Sequence, residues 1–176
     1  MTYEGVRKVI QRQYPAYDVE IREGEYHIVA PHDFVSSNVV MRFGLRIGAW
    51  IEARELGSVF DSNGGIVFPD GDKMAPDLTY VSRERLPVIP RSFAHVIPEI
   101  VVEVRSSRQT ERATRRKLET LLAKGVDVGV YIDPTKRILE IHRNGIAPIS
   151  IPAGGRVEFP DILPGFGFVV DELWPK

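Results

Sequence analysis

No cysteine occurs anywhere in the chain. Structural disulfides, thiolate zinc sites and cysteine nucleophiles are thereby excluded. Histidine is scarce as well. His27, His32, His95 and His142 are all there are, and none forms an HxxxH or HExxH pattern, so a histidine-rich metal site is not expected. His95 and His142 read most simply as structural. No apolar stretch approaches the roughly 20 residues of a membrane span. Charge of one sign is lacking too: the formal net charge is -1, so nothing attracts nucleic acid in general and any such binding must use a local patch. There is no GxxxxGK[ST], no GxGxxG and no GxSxG, which leaves nucleotide-kinase, dinucleotide and serine-hydrolase chemistries without support. The opening Met1-Thr2-Tyr3-Glu4-Gly5 lacks the basic-then-apolar layout of a signal peptide, so a cytoplasmic location is expected, with no membrane partner.

What is present is the composition of an ordinary globular chain. With 176 residues, 43% hydrophobic and 27% charged, a single domain over residues 1–176 with a sizeable core is expected. Tyr3 to Tyr14 suits a short helix stopped by Pro15. Val19 and Ile21 alternate with Glu20 and Arg22, and Glu23-Gly24 turns the chain into Tyr26 to Val29, a hairpin pattern. Ser36 or Ser37 can cap a helix to about Glu55, with Val40, Phe43, Ile47 and Ile51 as its apolar stripe. Gly44 and Gly48 would allow close approach to a sheet, and Gly57 would end the helix. Strands are expected over 58–61 and 66–68, joined as a hairpin through Asn63-Gly64-Gly65, then at Leu78 to Val81 and Glu99 to Val104. A helix from about Thr110 to Lys124 follows, with Ser106 and Gln109 as a capping box and Gly125 as its end. Val128 to Ile132, Ile138 to His142 and short pieces within 157–170 complete the strands. The organisation is α/β or α+β, a mixed central sheet with one long helix before it and one crossover helix inside it.

Two acids and a lysine carry the chemistry. Asp77 follows Pro76 at the start of one strand; Glu103 lies within the valine-rich run Ile100 to Val104. A carboxylate in such a run is costly unless paired or bound to a cation. Two of them on neighbouring strands could hold a hard divalent metal, which prefers oxygen ligands. On the strand, Glu99, Val101, Glu103 and Arg105 share one face, so an ion pair of Glu103 with Arg105 is the plain alternative. On a helical wheel Lys117 falls between Ala113 and Leu121, the one cation of its helix directed at the packed face. There it would orient or deprotonate an attacking water, or neutralise developing charge; otherwise its stem packs while its ammonium reaches water. Glu20 and Glu55 are each candidates to complete the site. Arg105, Arg108, Arg112, Arg115 and Arg116 form a basic cluster on which a nucleic-acid backbone could dock, or a solvated helix face.

The ordered set of motifs resembles the PD-(D/E)XK nuclease superfamily and, more closely, its Uma family. The set runs from Glu20-Ile21-Arg22-Glu23-Gly24-Glu25 through Ala75-Pro76-Asp77-Leu78 to the strand Pro98 to Ser106. It continues with Lys117 on the next helix, Gly125-Val126, Ile132-Asp133-Pro134 and Leu163-Pro164-Gly165. The resemblance implies a restriction-endonuclease-like core, a mixed central β-sheet flanked by helices. It implies Mg²⁺- or Mn²⁺-dependent hydrolysis of nucleic-acid phosphodiesters, with DNA as the expected substrate. Asp77, Glu103 and Lys117 would be catalytic, with Asp77 and Glu103 holding the metal. The usual superfamily lysine would stand at Arg105, and an arginine, always charged, is a poor base; Lys117 matches the family's helix-borne lysine instead. Leu121 replaces a usual tyrosine. The competing expectation is a non-catalytic nucleic-acid-binding or assembly module on a decayed nuclease fold; a metal-dependent enzyme of another phosphate ester is a third. A homodimer is expected, because Leu86, Val88, Ile89 and Phe93 lack an obvious core role and exposed apolar patches mark interfaces.

Overall fold

The structure is a computed structural model that describes residues 2–175. Helix α1 (Tyr3–Gln13) is capped by Thr2 and ends before Pro15. Strands β1 (Asp18–Arg22) and β2 (Glu25–Val29) form the expected hairpin, with Glu23 and Gly24 both at positive φ in the turn. Helix α2 (Phe34–Ala53) starts three residues earlier than its serines suggest. Its N-cap is Asp33, whose side chain accepts from Ser36 N at 2.9 Å and from Ser107 N at 2.7 Å. A carboxylate that can serve two backbone donors displaces the serine cap. Ser36 turns inward instead and donates to Arg105 O. The helix also ends sooner than expected, at Arg54, and Glu55 rather than Gly57 takes the left-handed backbone next to it.

The remaining elements are β3 (Gly57–Asp61), β4 (Ile66–Val67), β5 (Lys73–Met74), β6 (Leu78–Ser82), β7 (Ile100–Val104), α3 (Glu111–Ala123), β8 (Val128–Asp133), β9 (Ile138–Arg143), β10 (Ile146–Ile151), β11 (Arg156–Glu158) and β12 (Gly167–Val169). Helix α3 is capped by Thr110, not by Ser106. Six strands form the central sheet in the order β10-β9-β8-β7-β6-β3, and a second sheet runs β2-β1-β5-β4. Strands β3 and β4 therefore do not form a hairpin; each joins a different sheet. Asp61 holds the turn by accepting from Asn63 N, and Gly65 lies so close to the Phe93 ring that a Cβ there would meet it at 2.4 Å. Strand β10 had no sequence signal. It is an edge strand whose residues are mostly exposed, so no apolar alternation marked it.

The pair β7 and β8 is parallel, and α3 is the crossover between them. Strand alternation divides the apolar residues between two cores. Ile100, Val102 and Val104 face α2 (Val39, Phe43, Ile47, Ile51) together with Phe159, Leu163, Phe166 and Phe168 of the tail. Val101 and Tyr131 face α3 (Leu118, Leu121), with Ile66, Phe68 and Met74 of the second sheet. Glu103 is thus on the α3 side. Gly44 permits close packing on Leu78, where a Cβ would stand 3.0 Å from Cδ1, whereas nothing approaches Gly48.

Lys117 is brought to the sheet by the seat of α3 on Gly129, where an added Cβ would lie 2.7 Å from Leu118 Cδ1 and 2.8 Å from Cγ. Gly129→Ala is expected to push α3 off the sheet at a cost of about 1–3 kcal/mol, as overpacked cores do. Denaturant unfolding checks it; an unchanged midpoint would mean that Leu118 yields freely.

Candidate active site

The register Leu78↔Val102 and Thr79↔Val101, carried one step further, sets Asp77 opposite Glu103. Cross-strand neighbours of this kind have Cβ atoms roughly 4.5–5.5 Å apart. Asp77 Oδ2 accepts from Val104 N at 2.7 Å, which fixes the carboxylate against β7, and Asp77 Oδ1 lies 2.9 Å from His32 Nε2. The two acids thus sit side by side, as their places in the sequence suggest.

Lys117 joins them. Its Nζ is 2.8 Å from Glu103 Oε1, 3.0 Å from Glu20 Oε1 and 3.0 Å from the carbonyl oxygen of Ala75. The side chain is 5% exposed and that of Glu103 is 2% exposed. Lys117 is therefore not a lysine whose head reaches water, nor is Glu103 paired with Arg105, which binds Asp133 at 2.8 Å instead. The contact of Lys117 with Glu103 Oε1 is a buried, charge-assisted pair.

Of the two candidate third acids, Glu20 belongs to the site and Glu55 does not. Glu20 lies on β1 with its side chain turned inward, accepting from Ala75 N at 3.2 Å and pairing with Arg22 at 2.6 Å. Glu55 is exposed, 3.9 Å from Arg83. His32 is the residue that sequence reasoning missed. It stands just before the Asp33 cap of α2, and only the neighbouring Pro31 and Asp33 hinted that its backbone would be held.

Burial disfavours the charged forms in this cluster, and the neighbours decide the outcome. Burial pushes the Glu103 carboxyl up, with Lys117 opposing and Asp77 and Glu20 adding to the rise, to about 8. For Lys117 burial acts to lower the value, but the charges of Glu103, Glu20 and Asp77 outweigh it and hold the ammonium above its ordinary 10.5. Burial likewise works against His32, yet its bond to Asp77 and that acid's charge leave it raised. Lys117 is therefore a fixed cation at neutral pH. That suits orientation and charge neutralisation rather than proton abstraction.

A cleft of about 480 Å³ opens beside the cluster. Glu20, His32 and Asp77 line it; Glu103 and Lys117 lie beneath them. The basic cluster is largely neutralised: Arg115 pairs with Glu111 and Glu140, and Arg116 with Glu23. Arg108 and Arg112 are exposed and have no carboxylate partner among the described residues. Among the described residues no three acids or histidines already form a cage for a metal ion. The donors are nonetheless the carboxylate oxygens a hard divalent cation takes.

A chain of this architecture has the restriction-endonuclease-like fold. It superposes on the crystal structure of a putative nuclease belonging to DUF820 from Anabaena variabilis ATCC 29413 with a TM-score of 0.79, at 16% identity, over 89% of each chain. The family model of Uma2, described as putative restriction endonuclease, matches residues 7–171, and the chain belongs to that family. No functionally curated protein matches it in sequence.

A carboxyl held near pKa 8 in the fold, against 4.5 when exposed, stabilises the fold fully below pH 4.5; that contribution is lost as the pH rises towards 8. Glu103→Gln removes the dependence. In metal-free buffer the wild type should therefore lose ground to Glu103→Gln between pH 5 and pH 8. Thermal melting of both proteins across that range measures it, and parallel curves would remove Glu103 as an acid with a raised pKa.

Proposed function

We propose that this protein is a metal-dependent nuclease that hydrolyses phosphodiester bonds of nucleic acid, with DNA as the expected substrate. The observation that carries the proposal is the convergence of Asp77, Glu103, Glu20 and Lys117, from four separate elements, in one cluster beside a cleft that Asp77 and Glu20 line. Family membership and the likeness to a protein described as a putative nuclease support it. A decayed site would leave Lys117 in water or Glu103 locked to an arginine, and neither is so.

Asp77 and Glu103 are the residues that would hold Mg²⁺ or Mn²⁺. Bound there, the ion would polarise a phosphoryl oxygen and lower the pKa of water. The chain's own groups do the rest. The Val104 amide and His32 hold the Asp77 carboxylate in one orientation. Lys117, with its high pKa, supplies a positive charge near the attacked phosphate, where it neutralises charge that develops in the transition state. Glu20 and the Ala75 carbonyl fix the ammonium in place, so little reorganisation is needed during reaction.

Lys117→Ala should lower cleavage by a factor on the order of 10²–10⁴, the range for a group acting on charge or proton transfer. Lys117→Arg should be nearly as poor, since a planar fork does not fit a pocket built for one ammonium. Asp77→Asn keeps an acceptor for Val104 N and should leave the fold intact while weakening Mn²⁺ binding in calorimetric titration. Mn²⁺-supported cleavage of plasmid and single-stranded DNA tests the set. Full activity in Lys117→Ala would discard its role. A wild type that neither binds Mn²⁺ nor cleaves would remove the nuclease proposal.

Self-association is proposed as well, through fewer residues than the sequence suggested. Phe93 packs against the Tyr3 ring at 6.2 Å and Leu86 is half-buried, whereas Val88 and Ile89 are 76% and 56% exposed. Light scattering at micromolar concentration should give a dimer mass; a monomer mass would overturn it.

A further inference from the structure

The geometry points to an unpaired nucleic-acid strand as the substrate form that this site takes, with Lys73 as the residue that grips a flanking phosphate. The inference rests on the nuclease function proposed above and adds to it the class of strand and a binding residue.

The first observation is depth. Glu103 and Lys117 do not line the cleft at all, and the side chains of Glu20 and Asp77 are 4% and 10% exposed. A scissile phosphate must therefore come down to the acids. A paired duplex is a stiff rod whose phosphates lie on its outside, held apart by two backbones. A single strand, free of a second backbone, can bend into a recess and follow it. A volume of about 480 Å³ is that of a pocket for one compact ligand, such as a single nucleotide, rather than a trough for a double helix.

The second observation is the lining. Aromatic side chains of Tyr17 and Phe93 meet the cleft, the exposed ring of Tyr14 lies 5.5 Å from that of Tyr17, and Tyr3, only 8% exposed, packs behind Phe93. Bases of an unpaired strand stack on such rings without regard to sequence, and in a duplex those faces are already covered.

The third observation is charge. The cations that line the cleft are Arg7, His32 and Lys73. Arg7 is bound to Asp18 at 2.8 Å and His32 to Asp77 at 2.9 Å. Lys73 has no carboxylate partner among the described residues. Its Nζ lies 4.4 Å from the centre of the Tyr3 ring, which positions the ammonium without neutralising it. An oriented, uncompensated ammonium beside a row of aromatic rings is what a sugar-phosphate strand with its bases splayed out requires. The lining acids are engaged elsewhere: Asp18 with Arg7, Glu20 with Arg22 and Lys117, Asp77 with His32, and Asp61 with Asn63 N and Nδ2 of its own turn.

The test is fluorescence anisotropy of the full chain with a labelled short oligodeoxynucleotide, single-stranded or annealed to its complement, in EDTA so that nothing is cut. The wild type should bind the single strand about tenfold or more tightly than the duplex, the order of one stacked base. Lys73→Gln should weaken single-strand binding and reduce the slope of log affinity against log salt by about 0.7, the loss of one phosphate contact on a single strand. Lys73→Arg should keep the wild-type slope. Thermal melting of the variants separates this from misfolding, because a folding defect would lower the active fraction without changing the slope. Equal affinity for both forms, or an unchanged slope in Lys73→Gln, would overturn the inference while leaving the nuclease proposal standing. Failure of the wild type to bind either form would likewise overturn the inference, while the nuclease proposal stands or falls on Mn²⁺ binding and cleavage.

Discussion

The buried ammonium of Lys117 is the constraint around which the rest is arranged. Three oxygen atoms close on it, from Glu20 on β1, Ala75 after β5 and Glu103 on β7, while the lysine itself comes from α3. Two carboxylates in so dry a place repel each other and resist desolvation; a cation among them is the condition for either to stay there. The same cation ties the small sheet to the large one. The apolar contacts of Ile66, Phe68 and Met74 with Val101 and Leu118 press the two sheets together but specify no single alignment. The buried polar contacts do, because a slip of one residue would leave charges without partners in the apolar interior.

Seen this way, stability and chemistry compete for the same groups. Lys117 neutralises Glu103 and Glu20 in the resting protein, and a divalent ion would ask for those same oxygens. A metal ion would have to loosen at least one of the contacts now made. Burial above all, with the charges of Asp77 and Glu20 added, raises the Glu103 carboxyl against the pull of its lysine. His32 performs for Asp77 the service that Lys117 performs for Glu103, and it does so from the edge of the cleft.

Much of the central sheet and its crossover helix could be read from the chain. The valine-rich run around Glu103, the Pro76-Asp77 step and the amphipathic stripe of α3 are local signals, because burial and period are written into consecutive residues. The inward position of Lys117 followed from the same stripe. What escaped depended on distant partners. Glu20 and Glu55 stand as equal candidates in sequence, and only β5 laid beside β1, with Ala75 N as a donor, separates them. His32 has no pattern at all; its role is set by Asp77, far along the sequence. The separation of β3 from β4 into two sheets hinges on Phe93 filling the space at Gly65, which no turn residue announces. The basic cluster misled for the converse reason. Arg105 and Arg115 look free in sequence but meet Asp133 and Glu140 across the fold.

Asp33 closes two segments with one carboxylate: it caps α2 through Ser36 N and holds the chain after β7 through Ser107 N. Burial acts to raise its pKa, but those backbone donors outweigh it and hold it well below the ordinary 3.8. Its contribution is accordingly present above that value and fades as the pH falls beneath it. On acidification this latch is released by protonation of one side chain next to His32, at the rim and not in the apolar interior. Because that carboxylate gives up its charge only well below the ordinary range, an acid-treated molecule would keep the doorway of its cleft shut after ordinary carboxylates elsewhere had been protonated.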